Sequence, residues 1–236
     1  MRVNIIIPTY KRFKSLQKTM RSIKDSNYKD IRTIIIMDGF EDARFEQFKD
    51  EQTEVRQNPK RMGWIYSMNQ TLKRLCEFPL SHPLEVGYFY GADDIFFYPD
   101  CISKLVEAMK EIFPAGDGLV SAKQHLILSK GRIKPKKCGG AFALMGRKFV
   151  DRFPNKEAFC PEYFHGSADR EIRNYAVRAG VYHFCQDAVL LHDRSAKDET
   201  RRLRKAAQPK DHEVRRERWA KGLVWGESLE RVRKDG

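Results

Sequence analysis

The chain has 236 residues, with 45 Lys+Arg against 32 Asp+Glu and a net charge of +13. Hydrophobic residues at 41% and aromatics at 11% suffice for one large core, which excludes wholesale disorder. The longest aliphatic runs, Ile5-Ile6-Ile7 and Ile34-Ile35-Ile36-Met37, are strand-sized, far short of the roughly 18 residues that a membrane-spanning helix needs.

In chain order, Arg2-Val3-Asn4-Ile5 opens without an apolar leader, so a cytoplasmic location is expected, that of a host cell if the chain is viral. Val3 to Pro8 reads as a buried strand. Phe13 to Asp25 reads as a helix, because Phe13, Leu16, Met20 and Ile23 recur on one stripe. A second buried strand, Ile34 to Met37, ends at Asp38-Gly39, and a short helix is expected from Asp42 to Lys49, before an edge-like strand at Glu54 to Gln57. Gly63 to Leu75 predicts a helix, Leu84 to Tyr90 a strand closed by Gly91-Ala92-Asp93-Asp94, and Cys101 to Phe113 a helix N-capped by Asp100. This alternation points to an α/β fold with a mostly parallel sheet flanked by helices. In such sheets ligands sit at the carboxyl ends of the strands, where Pro8–Arg12, Asp38–Asp42 and Gly91–Ile95 would gather.

Farther on, Leu119 to His125 and Ile127-Leu128 read as strands, Lys130-Gly131-Arg132 as a basic turn, and Gly139 to Gly146 as a glycine-bounded strand. A short helix from Arg147 to Phe153 follows, then one from Ser167 to Ala179 with Ser167 as N-cap, and strands at Val181 to Phe184 and Ala188 to Leu191. From Arg194 onward the composition shifts, and the last 43 residues supply +6 of the net charge. The boundaries expected are therefore a domain at 1–193 and a basic helical extension at 194–236. The five cysteines form no C-x-x-C pair and read as small buried hydrophobes.

Three constellations carry candidate chemistry. Adjacent carboxylates repel, so Asp93-Asp94 at a strand end fits a hard divalent cation whose other ligands are phosphate oxygens, although a solvated acidic turn would look the same. Asp169, early in a helix, is either a general base facing the crevice or an acid that suits the helix dipole. His192 directly follows an apolar strand, where a lone histidine is more often a satisfied core or surface residue than a ligand.

Together these segments carry a resemblance. Val3 to Arg12, Ile34 to Gly39, Ala92-Asp93-Asp94, Gly139-Gly140-Ala141, Ala168-Asp169-Arg170-Glu171-Ile172 and the strand ending in His192 resemble the nucleotide-sugar glycosyltransferases of the GT-A fold, family 2 above all. The resemblance implies a metal-dependent, inverting transferase using Mn²⁺ or Mg²⁺ and a nucleotide-sugar donor, a UDP-sugar before others. It implies that Pro8, Thr9, Tyr10 and Arg12 line the nucleoside pocket, that Asp38 binds the base, and that Arg61 and Asn69 lie near the donor. It also places Asp93, Asp94 and His192 at the metal and the diphosphate, and makes Asp169 the base that deprotonates the acceptor hydroxyl. Gly91 departs from the family, standing where the first Asp of its D-x-D element usually is, and Ala168 replaces a usual Glu. The sugar does not carry over, and a retaining mechanism stays open.

For the acceptor, Lys130, Arg132, Lys134, Lys136 and Lys137, with Arg201, Arg202, Arg204 and the tail's Trp219 and Trp225, have the composition that phosphate contact and base stacking require. A hydroxymethylated base in phage DNA is the expected acceptor on that ground. A lipid-linked or surface saccharide, reached by peripheral contact with an acidic membrane, stays open. So does a non-catalytic nucleic-acid-binding module on the same scaffold. A nucleotidyltransferase is disfavoured, since no glycine-rich triphosphate loop follows the first strand.

Overall fold

A computed structural model describes residues 1–77, 79, 85–135 and 141–227. Among them runs the order β1 (Arg2–Thr9), α1 (Phe13–Lys24), β2 (Ile31–Asp38), β3 (Thr53–Asn58), α2 (Trp64–Leu75), β4 (Val86–Tyr90), β5 (Ile95–Phe97) and α3 (Cys101–Ile112). There follow β6 (Leu119–Ile127), β7 (Ile133–Pro135), β8 (Ala143–Gly146), α4 (Arg147–Asp151), α5 (Ala168–Arg178), β9 (Tyr182–Asp193) and α6 (Glu199–Ala220).

One sheet takes the order β3-β2-β1-β4-β8-β6-β9-β5, with β7 on β6. β1 through β4 are parallel, β8 runs antiparallel to both β4 and β6, and β9 lies parallel to β6. The expected mixed, mostly parallel α/β sheet is therefore present. Alternation sends Val3, Ile5 and Ile7 to one face, under α1 and α3, and Ile6, Ile34 and Ile36 to the other, under α2, α4 and α5. Each such side chain stabilises the fold by about 1.5–3 kcal/mol through burial. The four described cysteines are free and buried.

Several elements differ from expectation. The short helix expected from Asp42 to Lys49 is present as a 3-10 helix at Ala43–Phe48. The two late strands are one, β9, with a register shift opposite Ala122 and Lys123 that absorbs the polar interruption. β5 is an additional strand, and the turn expected at Lys130-Gly131-Arg132 leads into β7. Asp100 does not cap α3 with its side chain, which instead accepts from Asn27 Nδ2. Ser167 precedes α5 in a left-handed conformation (φ 71°) and caps it through its backbone oxygen, which accepts from the amides of Arg170 and Glu171. Leu84, Lys136, Lys137, Cys138, Gly139 and Gly140 lie outside the described residues. Among the described residues, no helix is long and apolar enough to cross a membrane.

Of the described residues after 193, Glu199–Ala220 form the helix α6, and this part packs into the fold. Arg218 of α6 is 6% exposed and donates from Nε and Nη2 to Glu171 Oε1 at 3.0 and 2.7 Å. Glu171 also accepts from the Tyr163 hydroxyl at 2.6 Å and the Trp225 amide at 2.6 Å. Val224 joins the core cluster under α5.

Candidate functional site

The carboxyl ends of β1, β2 and β4 open into a cleft of about 630 Å³, closed on its far side by α5, the end of β9 and α6. Thr9, ending β1, donates its hydroxyl to Asp93 Oδ2 at 2.7 Å, and Thr19 of α1 donates to the Asp93 carbonyl at 3.0 Å. Arg12 stands at the N-cap position of α1, where its side chain makes no cap hydrogen bond. Its guanidinium turns to the carboxylates instead: Nη1 donates to Asp93 Oδ1 at 3.1 Å and to Asp94 Oδ2 at 2.8 Å. Nε and Nη2 of the same group donate to Asp198, just ahead of α6, at 2.7 and 3.1 Å. A guanidinium thus offsets the repulsion that the adjacent carboxylates impose on each other.

β5 brings His192 to this pair. Ile95 lies opposite His192 in the β5–β9 ladder, and the Asp193 amide donates to the Asp94 carbonyl at 2.8 Å. His192 Nε2 consequently lies 3.5 Å from Asp94 Oδ1, the oxygen that Arg12 leaves open. The two carboxyls respond in opposite directions. Burial, reinforced by the charge of Asp94, raises Asp93 above the usual carboxylate range. Burial pushes Asp94 upward as well, but the hydrogen bond with His192 and the Arg12 guanidinium outweigh it and hold Asp94 low.

Among the described residues, no group of three or more His, Cys, Asp and Glu side chains is arranged around a metal position. Both oxygens of Asp93 are engaged, by Thr9 and Arg12. That leaves Asp94 Oδ1 and His192 Nε2, a hard oxygen and an imidazole nitrogen, which fit Mn²⁺ or Mg²⁺ completed by phosphate oxygens and water. Gly91 adds nothing, for a physical reason. A Cβ there would lie 3.1 Å from the Ile6 carbonyl and 3.5 Å from Ile7, so position 91 faces the core beside β1.

Asp38, ending β2, is 5% exposed and accepts from the Met62 and Gly63 amides at 2.8 and 2.9 Å and from Asn58 Nδ2 at 2.9 Å. Its carboxylate fastens the turn that presents Arg61, whose guanidinium lies 5.2 Å from the Tyr10 ring and 5.6 Å from the Phe164 ring. Gly39 makes this possible: at φ 76° it passes so close that a Cβ would stand 2.1 Å from the Arg61 nitrogen. Pro8, Thr9, Tyr10, Arg12, Asp38 and Arg61 all line the cleft. Asn69 does not. It is buried in α2, donating to the Phe159 carbonyl at 2.7 Å and accepting the Phe159 amide at 3.1 Å, which joins two segments behind the site.

Asp169 also lines the cleft, partly buried in the first turn of α5 and beside Arg170 and Arg173. The loop before it is held from α6: Asp211, 2% exposed, accepts the amides of Phe164, His165 and Gly166 at 2.8, 3.1 and 2.7 Å. Burial, then the charge of Arg204, depress His165 to about 4, so this imidazole is neutral near pH 7. Lys11, Phe142 and Ser167 have positive φ angles of 57°, 71° and 71°. Phe142 and Ser167 line the cleft and Lys11 lies between lining residues, whereas Lys130, Asn155 and Lys156, also at positive φ, lie outside its lining.

The basic residues singled out for an acceptor divide. Arg201 and Arg204 line the cleft, whereas Lys130, Arg132 and Arg202 are exposed and outside its lining. Asp198, Asp211, His165 and Arg194 belong to the site without having been marked in the sequence. A signal existed for Asp198, an acid directly before a helix, whose side chain accepts the Arg201 amide at 3.0 Å.

Comparisons with known proteins agree with this architecture. The sequence profile of glycosyl transferase family 2 matches residues 4–124. A search of curated proteins gives no significant match. Among solved structures, TarS 1-349 of S. aureus in complex with UDP is similar at TM-score 0.62 and 13% identity, over 82% of this chain and 60% of that one. The longer S. aureus TarS structure gives TM-score 0.58 and 13% identity, over 82% and 37%. Mannosyltransferase PcManGT from Pyrobaculum calidifontis, in complex with GDP-Man and Mn2+, gives TM-score 0.60 and 15% identity, over 87% and 61%. This chain therefore spans less than two thirds of each of these relatives.

Proposed function

The chain belongs to glycosyl transferase family 2, and from that premise we propose that it transfers a sugar from a nucleotide-sugar donor to an acceptor hydroxyl. The observation that carries this reading is that Arg12, Asp94, His192 and Asp169 all line one cleft at the carboxyl ends of the strands. UDP bound to TarS and GDP-Man with Mn2+ bound to the mannosyltransferase support a nucleoside diphosphate sugar as donor.

In this reading Tyr10 and Arg61 flank the nucleoside, and Asp38 acts through the turn it fastens. Asp94 and His192 would hold Mn²⁺ or Mg²⁺, which supplies charge neutralisation for the departing diphosphate. Arg12 pairs Asp93 and Asp94 with positive charge. Asp169 accepts the proton of the acceptor hydroxyl, whose oxygen forms the new bond to the anomeric carbon. The bond to the diphosphate breaks as that bond forms, its electron pair leaves on the phosphate oxygen, and the anomeric configuration inverts.

A hydroxymethylated DNA base rests on basicity alone, and two of the tail arginines behind it line the cleft. The exposed Lys130, Arg132 and Arg202 are what support it now. One assay tests both levels. The protein is incubated with Mn²⁺ and a panel of sugar nucleotides, and nucleotide release is followed with saccharide acceptors, lipid-linked acceptors, hydroxymethylated DNA or none. Release that depends on an acceptor is expected, and the arm that triggers it names the acceptor class. Failure to bind any sugar nucleotide would overturn the reading.

A further inference from the structure

The ion pairs of the cleft leave an imbalance. Asp93, Asp94 and Asp198 are all engaged by the single guanidinium of Arg12. Arg204 of α6 lines the same cleft, half-buried, and among the described residues its guanidinium has no hydrogen bond and no ion pair. Its surroundings are dominated by like charge. Burial and the neighbouring Arg194, Arg201 and Arg12 all work against its protonated form, and Asp94 opposes them. Arg201 is committed elsewhere, donating from Nη1 to the carbonyls of Arg194 and Ala196 at 2.9 and 3.1 Å, which folds the 194–196 segment against α6 and holds Arg194 at the cleft. His165 adds no further positive charge, since burial and Arg204 keep it neutral.

A half-buried guanidinium with like-charged neighbours is costly unless an anion comes to it. α6 is not free to swing this group into solvent. It is tied down by Asp198 on Arg12, by Thr200 donating to the Tyr10 carbonyl at 3.0 Å, and by Asp211 on the 164–166 loop. The cation is therefore built into the wall, within electrostatic reach of the carboxylate to which a donor's leaving group would be delivered.

We propose that Arg204, with Arg194 beside it, receives the diphosphate of the donor, so that α6 completes the donor site. This rests on the glycosyltransferase reading above and deepens it. Planar guanidinium groups suit phosphate oxygens, which they bind through paired N–H donors. Two protein ligands on a divalent ion leave much of the diphosphate charge to be met by such groups. Part of the affinity for a nucleoside diphosphate then persists without a divalent ion and resides in α6.

Calorimetric titration with UDP, GDP, uridine and guanosine, in EDTA and in Mn²⁺, tests this on the full chain. Arg204→Gln is expected to weaken the tighter of the two diphosphates at least tenfold under both conditions and to leave its nucleoside unchanged. Arg204→Lys, which keeps the charge but not the fork, should fall between, and Arg216→Gln, on the exposed face of α6, should match the wild type. Diphosphate affinity unchanged in both Arg204 variants would overturn the proposal, as would an equal loss for the nucleoside, which would mark a structural role. If Arg204→Gln is unstable in a thermal melt, the Lys variant decides by the same criteria. A wild-type chain that binds neither UDP nor GDP would instead overturn the glycosyltransferase reading itself.

Discussion

Arg218→Met is the sharpest test of whether the basic C-terminal segment belongs to the folded body. Arg218 Nε and Nη2 reach Glu171 at 3.0 and 2.7 Å, with Glu171 7% and Arg218 6% exposed, and Arg218 also pairs with Glu162. Removing one partner of a buried ion pair leaves the other charge uncompensated, at a cost of about 3–5 kcal/mol. For a chain of this size each kcal/mol moves Tm by about 2–4 °C, so the melt should fall by about 6–20 °C. Adding Glu171→Gln to make the double variant should recover much of this, because the stranded charge is then gone. The assay is thermal unfolding followed by circular dichroism. A single variant melting within about 1 °C of wild type would refute the argument, since an appendage loosely attached to the domain costs nothing to release.

Two further predictions follow from the cleft. Asp38→Ala leaves the Met62 and Gly63 amides without their acceptor, which should cost about 1–3 kcal/mol in a denaturant melt and weaken nucleotide binding with it. His165 has its folded-state pKa lowered from 6.5 to about 4, so the unfolded chain binds the extra proton between those values. The stability from keeping it neutral is complete above pH 6.5 and is lost as pH falls toward 4. His165→Gln should flatten that part of the Tm–pH profile, and a profile of unchanged slope would contradict the burial argument.

Why some of this was legible in the sequence and some was not has a physical basis. Runs such as Ile5-Ile6-Ile7 declare strands buried on both faces, and the 3.6-residue stripe of α1 needs no tertiary information. β5 is three residues long, too short for any period to register, yet its pairing with β9 is what sets His192 beside Asp94. Asn69 is placed near the donor only by the family resemblance, which carries no information on tertiary partners. Its actual partners are backbone groups at Phe159, 90 residues away. The tail read as a separate basic extension because its countercharges are distant in sequence. Arg218 meets Glu171 from 47 residues away, and Asp198 meets Arg12 from 186. Composition reports how much charge a segment carries but not where the opposite charge will stand.

Asp169→Asn tests the central claim most directly. General-base catalysis contributes about 10²–10⁴-fold, so sugar transfer by the variant should fall by at least that lower figure while its affinity for the donor nucleotide stays near wild type. Donor binding and acceptor-dependent turnover are measured on the same preparation, with the cleft's other residues intact. Loss of transfer with binding retained is the result the account predicts. Wild-type turnover by the Asn variant would contradict it and remove Asp169 from the reaction.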